Sequence, residues 1–113
     1  MKKLLWLSRH EMTEPQLSDL KRIFGKFEIH QVEDTVKSAQ EIIDHGKNCD
    51  ILAVVLPIQL QEQLLRLTDK PVISAKNNRI DSGKINEKGE KIFNFEFDHW
   101  FRIKEVKIIT EKL

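Results

Sequence analysis

The chain alternates short apolar runs with stretches of helical periodicity. Leu4 to Leu7 is a continuous apolar run, which predicts a strand covered on both faces. Leu17, Leu20, Ile23 and Phe24 then recur at helical spacing, and Gly25 supplies a stop. Ahead of them, Thr13 and Gln16 form a capping box, with Met12 and Leu17 placed for a hydrophobic staple. Phe27 to Val32 returns to strand character. Val36, Ala39, Ile42 and Ile43 mark a second helix that Gly46 ends and that either Thr35 or Ser38 can cap. "DILAVVLPI" is the most apolar stretch and predicts a central strand. Leu60, Leu64 and Leu67 stripe a third helix, broken at Lys70–Pro71, and "PVISA" is another buried strand.

This β-α-β-α-β-α-β rhythm predicts an α/β, Rossmann-like, mostly parallel sheet with helices on both faces and strand order 2-1-3-4. Strands are expected near 3–8, 27–32, 50–56 and 71–75, and helices near 14–24, 36–45 and 59–68. The rhythm changes after residue 76. Asn77 to Lys91 is polar, holds two glycines and reads as a loop or a mobile hairpin. "IFNFEFDHW" alternates, with Phe93, Phe95 and Phe97 on one face. "EVKIIT" is a final strand candidate, and a slip of the alternation near Lys104 suggests a bulge. The expectation is one domain: a core over 1–76, then a loop and a C-terminal β extension over 77–113.

Composition narrows the partners. With 113 residues, 19 basic and 18 acidic side chains, the formal net charge is +1. That balance argues against bulk nucleic-acid binding, which draws its affinity from a basic excess. Cys49 is the only cysteine, so no intrachain disulfide forms, and it is expected half-buried at a strand start. "MKKLLWL" has a basic start, but Arg9, His10 and Glu11 cut its apolar run short. No segment has the ~20 apolar residues of a membrane span. A soluble, cytoplasmic protein is the expectation.

Candidate chemistry gathers at one sheet edge. In open α/β sheets, ligands bind beyond the carboxyl ends of the strands, where the strand order reverses. Order 2-1-3-4 puts that point between the loop after Leu7 and the loop after Leu56. The first loop supplies Ser8, Arg9 and His10, the second Pro57, Ile58 and Gln59. The fourth strand is expected to bring Lys76, Asn77, Asn78 and Arg79 to the same edge. Arg9, Lys76 and Arg79 suit phosphate, while Ser8, Gln59, Asn77 and Asn78 suit sugar or base hydrogen bonds. His10 can exchange a proton near neutral pH. Each also has a plainer use, since strand ends need polar turn residues. Glu11 and Glu14 read as first-turn partners of a helix dipole. There is no GxGxxG, Walker loop or GxSxG elbow. The four histidines and Cys49 lack metal-ligand spacing, so no metal or other cofactor is expected. Asp98, His99 and Trp100 adjoin at a strand end and read as an edge terminus with the indole on the core.

The stretch "LLWLSRHEMTEPQ" resembles the start of small single-domain CARF-like proteins, the CRISPR-associated Rossmann-fold group related to type III ring nucleases. Ser8, His10, Thr13 and Gln16 carry the likeness over about a dozen residues. The resemblance implies a homodimer that binds a nucleotide second messenger, cyclic oligoadenylate, across its axis at the strand carboxyl ends. It also implies slow, metal-independent cleavage in some members. His10 would then be the base, with Arg9 and Lys76 as charge stabilisers. The alternative reading is a non-catalytic interaction module that uses the aromatic C-terminal strand.

Overall fold

A computed structural model describes residues 1–106 and 111–113 of the chain. Among the described residues, five strands form one sheet: β1 (Lys2–Leu7), β2 (Phe27–Val32), β3 (Ile51–Ala53), β4 (Val72–Ile85) and β5 (Lys91–Arg102). The order is β2-β1-β3-β4-β5. β1 pairs in parallel with β2 and β3, β3 in parallel with β4, and β4 antiparallel with β5. The expected order of the first four strands and their parallel pairing hold.

Three helices connect the parallel strands: α1 (Glu14–Phe24), α2 (Ala39–His45) and α3 (Ile58–Leu67). Alternation along the strands splits the core in two. Leu4, Trp6, Ile51, Ala53 and Ile73 pack with Leu20 of α1 on one face. Leu5, Leu7, Leu52, Val54 and Val72 pack with Ile42 of α2 and Leu64 of α3 on the other. The chain moves one way from β1 to β2 and the opposite way from β2 to β3 and β4. Right-handed crossovers place the connecting helices on opposite faces when that direction reverses.

Thr13 caps α1 as the sequence predicts: its Oγ1 accepts from the Gln16 N–H at 3.4 Å, and Gln16 Oε1 accepts from the Thr13 N–H at 2.8 Å. Of the two candidate caps for α2, Ser38 takes the role, accepting from the Glu41 N–H. α3 begins at Pro57 without a side-chain cap.

Several expectations are corrected. Residues 77–91 are not a loop, because β4 runs on to Ile85 and forms a long hairpin with β5. Only Asn86 to Glu90 turn, with Asn86 Oδ1 accepting from the Lys88 and Glu90 N–H groups. The hairpin runs past the helices, so both faces meet water and the polar positions carry no inside-out pattern. The irregularities fall between Lys76 and Asn77 and between Asp81 and Lys84, not near Lys104. At the first, Asp98 is skipped between Phe97 and His99. β3 spans only Ile51–Ala53, shorter than the apolar run. Cys49 is fully buried rather than half-buried. The last strand candidate falls largely on residues outside those described, and Glu105 and Val106 are not in a strand. The radius of gyration is 16.5 Å, against about 13 Å for a compact chain of this length; the excess reflects the hairpin.

Among the described residues, no helix is long and apolar enough to cross a membrane.

Candidate functional site at the carboxyl edge

Where β1 and β3 send their following helices to opposite faces, a crevice of about 260 Å³ opens. Three strand ends build it. Leu7 ends β1 and Ser8 and Arg9 follow it, Glu33 to Val36 follow β2, Val55, Leu56 and Pro57 lead into α3, and Leu60 lies in its first turn. Six of its lining residues are apolar: Leu7, Val36, Val55, Leu56, Pro57 and Leu60. Ser8, Arg9, Glu33, Asp34 and Thr35 line it as well.

The loop after β1 is fixed by its own backbone. The His10 carbonyl oxygen accepts from Trp6 Nε1 at 2.8 Å and from Gln31 Nε2 at 3.1 Å. The same Gln31 amide donates to the Ser8 carbonyl, and Ser8 Oγ accepts from the His10 N–H. These bonds tie the loop to β2 and to a core indole. Arg9 then reaches across to β2's end, where its Nη2 donates to Thr35 Oγ1 at 2.7 Å. On the far side, Gln61 Nε2 donates to the Leu56 carbonyl and steadies the turn into α3. Among the described residues no side chain caps α3, whose first N–H groups follow Pro57.

The predicted site residues divide. Ser8 and Arg9 line the crevice with Pro57, as the strand order requires. His10 does not line it; its side chain is exposed and its backbone does the structural work. Gln59 is also exposed and outside the lining, where Leu60 stands instead. Lys76, Asn77, Asn78 and Arg79 are not loop residues converging on the crevice. They lie within β4, opposite His99, Phe97, Glu96 and Phe95. Arg79 stacks its guanidinium over Phe93, 4.1 Å from the ring centroid. Extension of β4 into the hairpin carries all four away from the lining.

The sequence reading missed Glu33, Asp34 and Thr35. They follow the second strand directly, and order 2-1-3 places that strand beside the first, so the signal was present in the topology. Asp34 Oδ2 lies 3.9 Å from His45 Nε2. Elsewhere, Asp98 Oδ2 lies 2.9 Å from His99 Nδ1 at the bulge, both half-exposed, while Trp100 is buried as expected. Among the described residues, no group of three or more His, Cys, Asp or Glu is placed to hold a metal ion. Burial pushes the Cys49 thiol up, against the opposing pull of Lys3 and Lys70.

No protein-family model, no curated protein and no solved structure matches this chain.

Proposed function

We propose that the chain binds a nucleotide-type anionic ligand in the crevice between β1 and β3. The observation that carries this reading is a crevice lined by Leu7 of β1, Val36 after β2 and the apolar turn into α3 together with Arg9, Glu33 and Asp34. An apolar slot accepts a base, a guanidinium pairs with phosphate, and carboxylates accept from sugar hydroxyls. The two acids also repel phosphate. They therefore favour a ligand that turns hydroxyls toward β2 and its phosphate toward Arg9 and the first N–H groups of α3. A ribonucleotide meets that requirement better than a deoxyribonucleotide.

A crevice of about 260 Å³ falls just below the ~300–1,000 Å³ of drug-sized small-molecule pockets. It suits one nucleotide unit. A cyclic oligoadenylate, the ligand the N-terminal resemblance implies, would present one unit to each copy of the chain. In this reading, cleavage would proceed by attack of a ribose 2′-oxygen on the adjacent phosphorus. The 5′-oxygen leaves and takes up a proton, and the 2′-proton passes to a base. Glu33 and Asp34 are nearer that role than His10, because they line the crevice and His10 does not.

A thermal-shift series with adenosine monophosphate, linear and cyclic oligoadenylate, and the matching deoxyribonucleotides tests the proposal. Ligand at 100 times its Kd should stabilise the fold by about 2.7 kcal/mol, with ribose forms ahead of deoxyribose forms. No shift with any of them would contradict it.

A further inference from the structure

The turn after β1 is held from one face of the sheet. Trp6 of β1 and Gln31 of β2 are register partners in a parallel pair, so their side chains share that face. Both donate to the His10 carbonyl, at 2.8 and 3.1 Å, and Gln31 Nε2 also donates to the Ser8 carbonyl at 3.1 Å. A primary amide has two protons to give, and here each carbonyl takes one.

These bonds decide where the N–H between the two carbonyls goes. The Ser8–Arg9 peptide is trans, so the Arg9 N–H points opposite to the Ser8 carbonyl of the same plane. With that carbonyl turned to Gln31, the Arg9 N–H is turned away from it. The neighbouring N–H groups are occupied: that of Ser8 donates to the Val32 carbonyl at 3.1 Å, and that of His10 to Ser8 Oγ at 3.1 Å. Among the described residues, the Arg9 N–H has no acceptor.

We propose that Gln31 and Trp6 are positioning residues that aim the Arg9 N–H at an anion in the crevice, beside the Arg9 guanidinium. This rests on the nucleotide reading of the crevice and adds a backbone donor to phosphate. Ser8 and Arg9 both line the crevice. The guanidinium is steadied by its bond to Thr35 Oγ1. A flexible cation attracts a phosphate, whereas an N–H in an anchored turn fixes one of its oxygens by a charge-assisted hydrogen bond. The ligand does not have to order that turn, because its anchor Trp6 is 5% exposed and set edge-on against Trp100.

Heteronuclear NMR of the isotope-labelled chain tests this by titration with adenosine monophosphate, then with linear and cyclic oligoadenylate. The Arg9 amide signal should move downfield as its N–H gains an acceptor, while the Ser8 and His10 amides, already bonded, move less. Gln31→Met keeps the reach of the side chain and removes its donors. It should bind about tenfold more weakly, the worth of one hydrogen bond to a charged group, and its Arg9 amide should shift less at saturation. An unmoved Trp100 indole signal reports that the core of the variant is intact. If the variant does not fold, the wild-type titration decides alone. Ligands that move no amide of the crevice would sink the nucleotide reading and this donor with it. Crevice amides that move while the Arg9 amide stays, or a folded Gln31→Met variant of wild-type affinity, would overturn this proposal and leave that reading standing.

Discussion

The indole Nε1 of Trp100 donates to the backbone carbonyl oxygen of Gln16 at 3.0 Å, across 84 positions of sequence. One end of this bond is on β5 and the other in the first turns of α1. The C-terminal strand is thereby part of the core, sealing the α1 face of the sheet. Trp6 meets the same indole edge-on, with ring centroids 5.9 Å apart. Trp100→Phe keeps an aromatic body and removes this hydrogen bond, while the Gln16 carbonyl stays within the ladder of α1. The expected loss is about 0.5–1.5 kcal/mol in urea unfolding. Trp100→Ala should lose more, about 3–5 kcal/mol. A Trp100→Phe variant as stable as wild type would show that the hydrogen bond contributes nothing.

Thr13→Ala removes the cap of α1 and orphans the Gln16 N–H. It should lower stability by about 0.5–2 kcal/mol, read from the same unfolding curves. Because Thr13 is outside the crevice lining, nucleotide affinity should not change.

Gly46 ends α2 against the sheet. A Cβ there would lie 2.5 Å from Leu52 Cδ2 and 3.2 Å from Leu5 Cδ2. Its φ of −94° is open to any residue, so the constraint is space rather than backbone conformation. Gly46→Ala should destabilise by about 1–3 kcal/mol through overpacking, whereas Gly→Ala in an unconfined site is neutral or stabilising. Thermal unfolding distinguishes the two.

Cys49 predicts a pH dependence. Its folded-state pKa is raised by burial, so the folded state holds the proton where the unfolded chain has released it. The contribution is fully present below the unfolded thiol pKa and declines as pH rises from there through the folded value. Denaturation followed from neutral to alkaline pH should show that decline, and Cys49→Ala should flatten it. A slope unaltered by the substitution would assign it to other groups.

The parallel half of the fold was legible because burial on two faces leaves apolar runs, and caps such as Thr13 and Gln16 mark helix starts chemically. β4 beyond Ala75 was not. Asn77, Arg79 and Asp81 on one face and Asn78 and Ser82 on the other are polar, and Ile80 is partly exposed. Such a strand is held by pairing with β5 rather than by burial, and hydrophobic patterning does not register pairing. The candidate site was half legible for the same reason. Ser8 and Arg9 depend only on where β1 ends, and the sequence marks that end. Lys76 to Arg79 depended on where β4 ends, which the partner strand decides. Glu33 and Asp34 went unassigned because their place beside Arg9 follows from strand order rather than from any local pattern.

The central claim is that Arg9 and its crevice bind the anionic part of a nucleotide. Titration calorimetry with the oligoadenylate that gives the largest thermal shift tests it, comparing wild type, Arg9→Ala and Lys76→Ala. Arg9→Ala should lose about 1.5–3 kcal/mol of binding, the worth of a hydrogen bond to a charged group. Its unfolding midpoint should stay put, since Arg9 is exposed. Lys76→Ala, on the hairpin and outside the crevice lining, should bind as wild type does. Equal affinity for wild type and Arg9→Ala, or a loss confined to Lys76→Ala, would contradict the account.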